Sequence, residues 1–122
     1  MDPARALADL REISTQIEAA VIFDDDGSAI ASTLDDEERA ARMARAGSQL
    51  LTAAPEGVVQ LQAALEEGSA FVVREGGRAV AAITGPEPMI GVVFYDLRTC
   101  LKALDGRTQR PAKAGSRASG PA

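Results

Sequence analysis

Asp35–Pro55 reads DDEERAARMARAGSQLLTAAP, the longest uninterrupted helical signal in the chain. Asp35 can cap its start, with Glu38 three residues on as the capping-box partner, and Pro55 stops it. Ala40, Met43, Ala44, Gly47, Leu50, Leu51 and Ala54 fall at i, i+3, i+4, i+7, i+10, i+11 and i+14, one apolar stripe. Most of that stripe is small. Alanine and glycine along a helix face let another backbone come close, so the helix is expected to pack on more than its own sheet.

Two runs of strand character precede this helix and three follow. Asp2-Pro3 is a helix start, and Leu7, Leu10, Ile13 and marginally Ile17 give a first helix of about three turns. Glu18–Phe23 and Ala29–Thr33 flank Asp24-Asp25-Asp26-Gly27 and read as a hairpin. Beyond the organising helix, Gly57–Leu65 alternates, with Val59, Leu61 and Ala63 on one face and Gln60 and Gln62 on the other: a half-buried strand. Glu66-Glu67-Gly68 turns into Ala70–Arg74, and Gly76-Gly77 turns into Ala79–Thr84. After the breaker Gly85–Pro88, Ile90, Val93, Phe94, Leu97, Leu101 and Leu104 repeat at helical spacing. The predicted order is α-β-β-α-β-β-β-α, an α+β fold with one five-stranded antiparallel sheet.

The 122 residues suffice for one domain, 1–105, whose core is expected to be thin: 46% of residues are hydrophobic, but Trp is absent and there are only three Phe and one Tyr. Such a domain gains from burying further surface in an oligomer. From Gly106 onward, GRTQRPAKAGSRASGPA has no apolar periodicity and is expected to be a disordered basic tail, 106–122. All 18 acidic residues precede Gly106 and four of the 13 basic ones follow it, so residues 1–105 carry 9 − 18 = −9. A body this acidic is a poor match for a phosphate backbone, which argues against nucleic acid as a partner. The single cysteine, Cys100, excludes an internal disulfide and fits a reducing compartment. MDPARALADL has no basic start followed by an apolar run, and no segment approaches the roughly 20 apolar residues that span a bilayer. The expectation is a cytoplasmic protein with no stable membrane association.

Chemistry is sparse. With no histidine in the sequence, the usual general base, the usual zinc ligand and every Ser-His or Cys-His arrangement are missing. Cys100 lies on the apolar stripe of the last helix, as a buried small hydrophobe would. Asp24-Asp25-Asp26-Gly27 places its glycine at position 4 of a would-be calcium loop, where position 6 is required, so it reads as a solvated turn. No phosphate loop, cofactor motif or catalytic set is present. Surfaces remain: Arg39, Arg42 and Arg45 recur every three residues, either as a solvated face paired with Asp35, Glu37 and Glu38 or as a docking surface for an acidic or phosphate-bearing protein.

The opening helix ending in Ile13, the strand Ala19–Ile22 with its Asp-Gly turn into Ala29–Ser32, the long Ala- and Leu-rich helix, the hairpin Ala70–Arg74 with Ala79–Ile83 and the closing helix Met89–Leu104 together resemble the Roadblock/dynein light chain family. That family is related to longin and profilin-like domains, and the resemblance covers about residues 3–105. It implies binding without catalysis and without a cofactor. It also implies a homodimer joined through the second helix and third strand, here Arg39–Ala54 and Val58–Leu65, with Met43, Gly47, Leu50, Val59, Leu61 and Ala63 at the interface. It implies association with a small Ras-like GTPase, either stimulating its GTP hydrolysis or acting as a scaffold beside a sensor kinase. The family has no motif that picks out GTPase-facing residues; on this chain the exposed Arg39, Arg42 and Arg45 are the ones expected there. Two other readings stand beside it: a signalling scaffold with no GTPase partner, and a small-ligand sensor, which needs an apolar cavity with a few convergent polar groups.

Overall fold

Tight turns decide where the strands pair, and the computed structural model, which describes residues 2–105, contains both expected strand sets. Helix α1 spans Pro3–Ile13, strands β1 and β2 span Ile17–Asp24 and Ala29–Ser32, and helix α2 spans Glu37–Ala53. Strands β3, β4 and β5 follow at Gln60–Leu65, Gly68–Glu75 and Arg78–Thr84, and helix α3 closes at Ile90–Asp105. The order and the antiparallel sheet are those expected. The expected basic tail, 106–122, lies outside the described residues.

Gly76 and Gly77 have φ of +62° and +83°, the pair of left-handed residues that a two-residue hairpin of this hand needs. At the other hairpin Gly27 has φ of +80°, while the Asp24 carboxylate accepts the N–H groups of Asp26 and Ser28, each at 3.0 Å.

The two strand sets join through a non-local pairing. Ala20–Asp24 of β1 lie antiparallel to Arg78–Ala82 of β5, giving the order β2-β1-β5-β4-β3 with β2 and β3 at the edges. Helices α1 and α3 cover one face. Their cluster includes Leu7, Leu10, Ile22, Phe71, Val80, Val93, Leu97 and Leu101, and Phe71 meets Phe94 edge-on at 5.1 Å. Helix α2 alone lies on the other face, where Ala40, Ala44 and Leu51 pack on Val21, Phe23, Val72, Ala79 and Ala81. Covered on both sides, β1 is buried without a break from Ala20 to Phe23. Edge strand β3 is not, and it keeps the alternation.

Some boundaries differ from expectation. Asp36, not Asp35, caps α2. Its extended backbone (φ −97°, ψ 114°) lets its carboxylate accept the N–H groups of Glu38 at 2.9 Å and Arg39 at 3.4 Å, so Glu38 is one residue too early for a capping box. Asp2 stands at the start of α1 without a side-chain cap bond. Ile13, where α1 ends, is exposed, and Ile17 is buried in β1 rather than extending the helix. Strand β3 starts at Gln60, because Gly57 (φ +92°) belongs to the preceding turn.

Candidate association surface

Strand register sorts the sheet residues on the α2 side into rows. Val21, Ala81, Val72 and Leu61 form one row, and Ala19, Ile83, Ala70 and Ala63 form the next. Helix α2 buries Val21, Ala81 and Val72. The second row stays half-buried throughout, as does Leu61. Half of this sheet face is therefore apolar, built largely of small residues and open to solvent. It runs out to β3, whose outer edge carries no strand.

Most of the interface expected from the sequence converges here. Leu61 and Ala63 floor the open half, and Val59, just before β3, follows the same period-two pattern and is 53% exposed. Met43 is half-buried on the flank of α2, and Leu50 is exposed on that helix. Gly47 is the exception. It points into its own sheet, where an added Cβ would stand 3.0 Å from Phe23 Cζ and 3.2 Å from Ala81 Cβ. Its smallness lets α2 approach β1 and β5 of the same chain. Ala19, Ala70 and Ile83 were missed in the sequence because they come from three separate strands, and only the register brings them into one row.

The three arginines do not make one face. Arg39 and Arg42 line a groove with Ala19, Met43 and Ile83, bordering the open half, whereas Arg45 lies on the other flank of α2, facing β2. A spacing of three turns each successive residue about 60° around the helix, and over six residues that parts Arg45 from Arg39. Arg42 pairs with Glu38 at 3.5 Å, both well exposed, so the pair contributes little to stability.

Cys100 Sγ is buried and donates to the Ala6 carbonyl oxygen at 3.7 Å. Burial, and secondarily the Asp9 carboxylate, push its thiol up from 9.0 to about 11. It is not poised as a nucleophile. The folded state holds this proton more tightly than the unfolded chain, so the stability it contributes is whole below pH 9 and is lost as pH rises towards 11. Urea midpoints are expected to fall across that window, and to fall less in Cys100→Ala. Among the described residues no group of three or more His, Cys, Asp or Glu is arranged to hold a metal, and no helix is long and apolar enough to cross a membrane. Among the described residues the two larger concavities, one along β2 and one beside Arg39 and Arg42, are open grooves.

No protein-family model and no curated protein matches the chain. Solved structures do. A Roadblock/LC7 domain from Streptomyces avermitilis superposes with a TM-score of 0.79 at 20% identity, covering 90% of this chain and 100% of that one. Myxococcus xanthus MglB superposes at 0.73 and 11% identity, with 88% of each chain covered. Profilin II of Acanthamoeba castellanii superposes at 0.52 and 12% identity, covering 77% of this chain and 89% of that one. At these identities the likeness establishes the fold, and one fold serves different functions.

Proposed function

We propose that this chain, which has the Roadblock/LC7 fold, is a homodimeric regulator of a small Ras-like GTPase, without an active site of its own and working in the cytoplasm. The open apolar half of the α2 face, continuous with the free edge of β3, carries the dimer part of the reading. Full burial of a Leu or Val side chain contributes roughly 1.5–3 kcal/mol. A second copy, with its α2 on this face and its β3 edge beside this one, would bury Leu61, Val59, Leu50 and Met43 on both sides. Leu61→Lys is expected to leave the circular dichroism spectrum intact and to shift the protein to monomer in light scattering, because it places a charge at the centre of that face.

The GTPase part rests on the Roadblock resemblance, on the fold shared with MglB and on the lack of a catalytic set. Arg39 and Arg42, bordering the association face, are the arginines suited to a partner seated across the dimer; Arg45 is not on that side. The test mixes the purified chain with a Ras-like GTPase encoded by a neighbouring gene. Faster GTP turnover or co-elution supports the reading. If neither occurs and a pull-down returns sensor kinases alone, the chain is a scaffold without a GTPase partner.

A further inference from the structure

The opposite edge of the sheet from β3 carries a second surface, between β2 and α2. A groove of about 660 Å³ runs along β2, with Ile30 and Ser32 on one wall and Ala40 and Ala41 of α2 on the other. Thr33 N–H donates to the Ala20 carbonyl at 3.0 Å, so Thr33 faces β1 and the alternation turns the backbone of Ser32 outward. Among the described residues no hydrogen bond to the backbone N–H or C=O of Ser32 is found on that outer side. Shortness and a bulge guard this edge, but Ala29-Ile30-Ala31-Ser32 carries neither of the other usual guards, a charge or a proline.

Charge selects the occupant. Asp26 and Glu37 line the groove, and Arg45 is the one base along it among the described residues. Neither Asp26 nor Glu37 takes part in an ion pair among the described residues. Ala40 and Ala41 present only small side chains on the α2 wall.

We infer that the β2 edge accepts a short extended segment of another protein, added as a sixth strand, with small or β-branched residues over Ala40 and Ala41 and Lys or Arg beside Asp26 and Glu37. Backbone hydrogen bonds to Ser32 would supply affinity, and the acidic ends would set the preference for a basic segment. The four-residue length of β2 and its bulge beside Ile22 and Phe23 restrict the added strand to about four paired residues. This inference does not depend on the GTPase reading or on the dimer.

The test uses the full chain and two capped synthetic heptapeptides, Thr-Lys-Thr-Val-Thr-Lys-Thr and the same sequence with Glu in place of Lys, followed by amide NMR. Saturable shifts centred on Ile30 and Ser32 are expected with the lysine peptide, and none with the glutamate peptide. Ser32→Pro removes the outward N–H and should abolish the shifts, while Ser32→Ala keeps it and should retain them. Glu37→Lys, on the exposed start of α2, should weaken binding roughly tenfold with the fold intact, which covers the case in which the proline variant misfolds. Equal binding of both peptides, shifts centred on β3, or undiminished binding by the folded Glu37→Lys chain would overturn the inference. So would shifts at Ile30 that depend on protein concentration without peptide, because a second copy would then fill the groove.

Discussion

Gly47→Leu is expected to destabilise the domain strongly rather than merely split a dimer. Even a Cβ at this position would stand 3.0 and 3.1 Å from Phe23 Cζ and Cε1 and 3.2 Å from Ala81 Cβ, tighter than nearly all packed neighbours. Leucine adds three further carbons beneath a helix that already rests on β1 and β5. Phe23 is 1% exposed, with only about 50 Å³ of open space beside it. Overpacking of this kind typically costs about 1–3 kcal/mol, and a helix axis that must lift off its sheet puts the cost at or above the upper end. Because the smaller of the two clusters consists mainly of Ala and Val, little else holds α2 down. The measurement is a urea midpoint with far-ultraviolet circular dichroism. The expected outcome is loss of cooperative unfolding or a midpoint far below wild type, in contrast to Leu61→Lys, which changes mass and not fold.

Gly68→Ala is expected to be comparably damaging for a different reason. Gly68 opens β4, and an added Cβ would overlap the backbone carbonyl oxygen of Thr84 and lie 3.2 Å from its carbonyl carbon. The obstacle is main chain, so no rotamer change relieves it. Either β4 or the end of β5 must shift, which breaks the pairing of Ser69 with Thr84 and disturbs the start of β1, where Ile17 pairs with Thr84 from the other side. A loss of about 3 kcal/mol corresponds to a fall in Tm of roughly 12–24 °C for a domain of this size. Differential scanning calorimetry checks it; a fall of a degree or two would mean that the strands part there easily.

Neither glycine declares its role in the sequence. Gly47 reads as one more small residue on an apolar stripe, and a stripe shows that something packs closely without showing what. The same limit governs Asp35 and Asp36: two adjacent aspartates have equal capping chemistry, and the path of the chain leaving β2 decides between them. Local features were legible, because a turn of Asp-Gly or Gly-Gly between strand formers fixes its hairpin within a few residues. The long helix was legible from its period, and so was the face of β3 that carries Leu61 and Ala63, with Val59 just before it. The pairing of β1 with β5 was not, since it joins residues some sixty positions apart in sequence. Strands covered on both faces also lose the alternation that would betray their orientation. The open half of the α2 face depends on that pairing. Ala19 and Ile83 become neighbours only through it, so the candidate surface was visible in part, as Leu61, Ala63, Met43 and Leu50, and incomplete without register.

The surface is tested most directly by the mass of the wild-type chain in solution. Sedimentation equilibrium at tens of micromolar should give twice the 12.7 kDa of a single chain, and Leu61→Lys should return the single-chain mass with an unchanged circular dichroism spectrum. A wild-type mass of one chain at that concentration would contradict the assignment of the open sheet half and the β3 edge to a second copy.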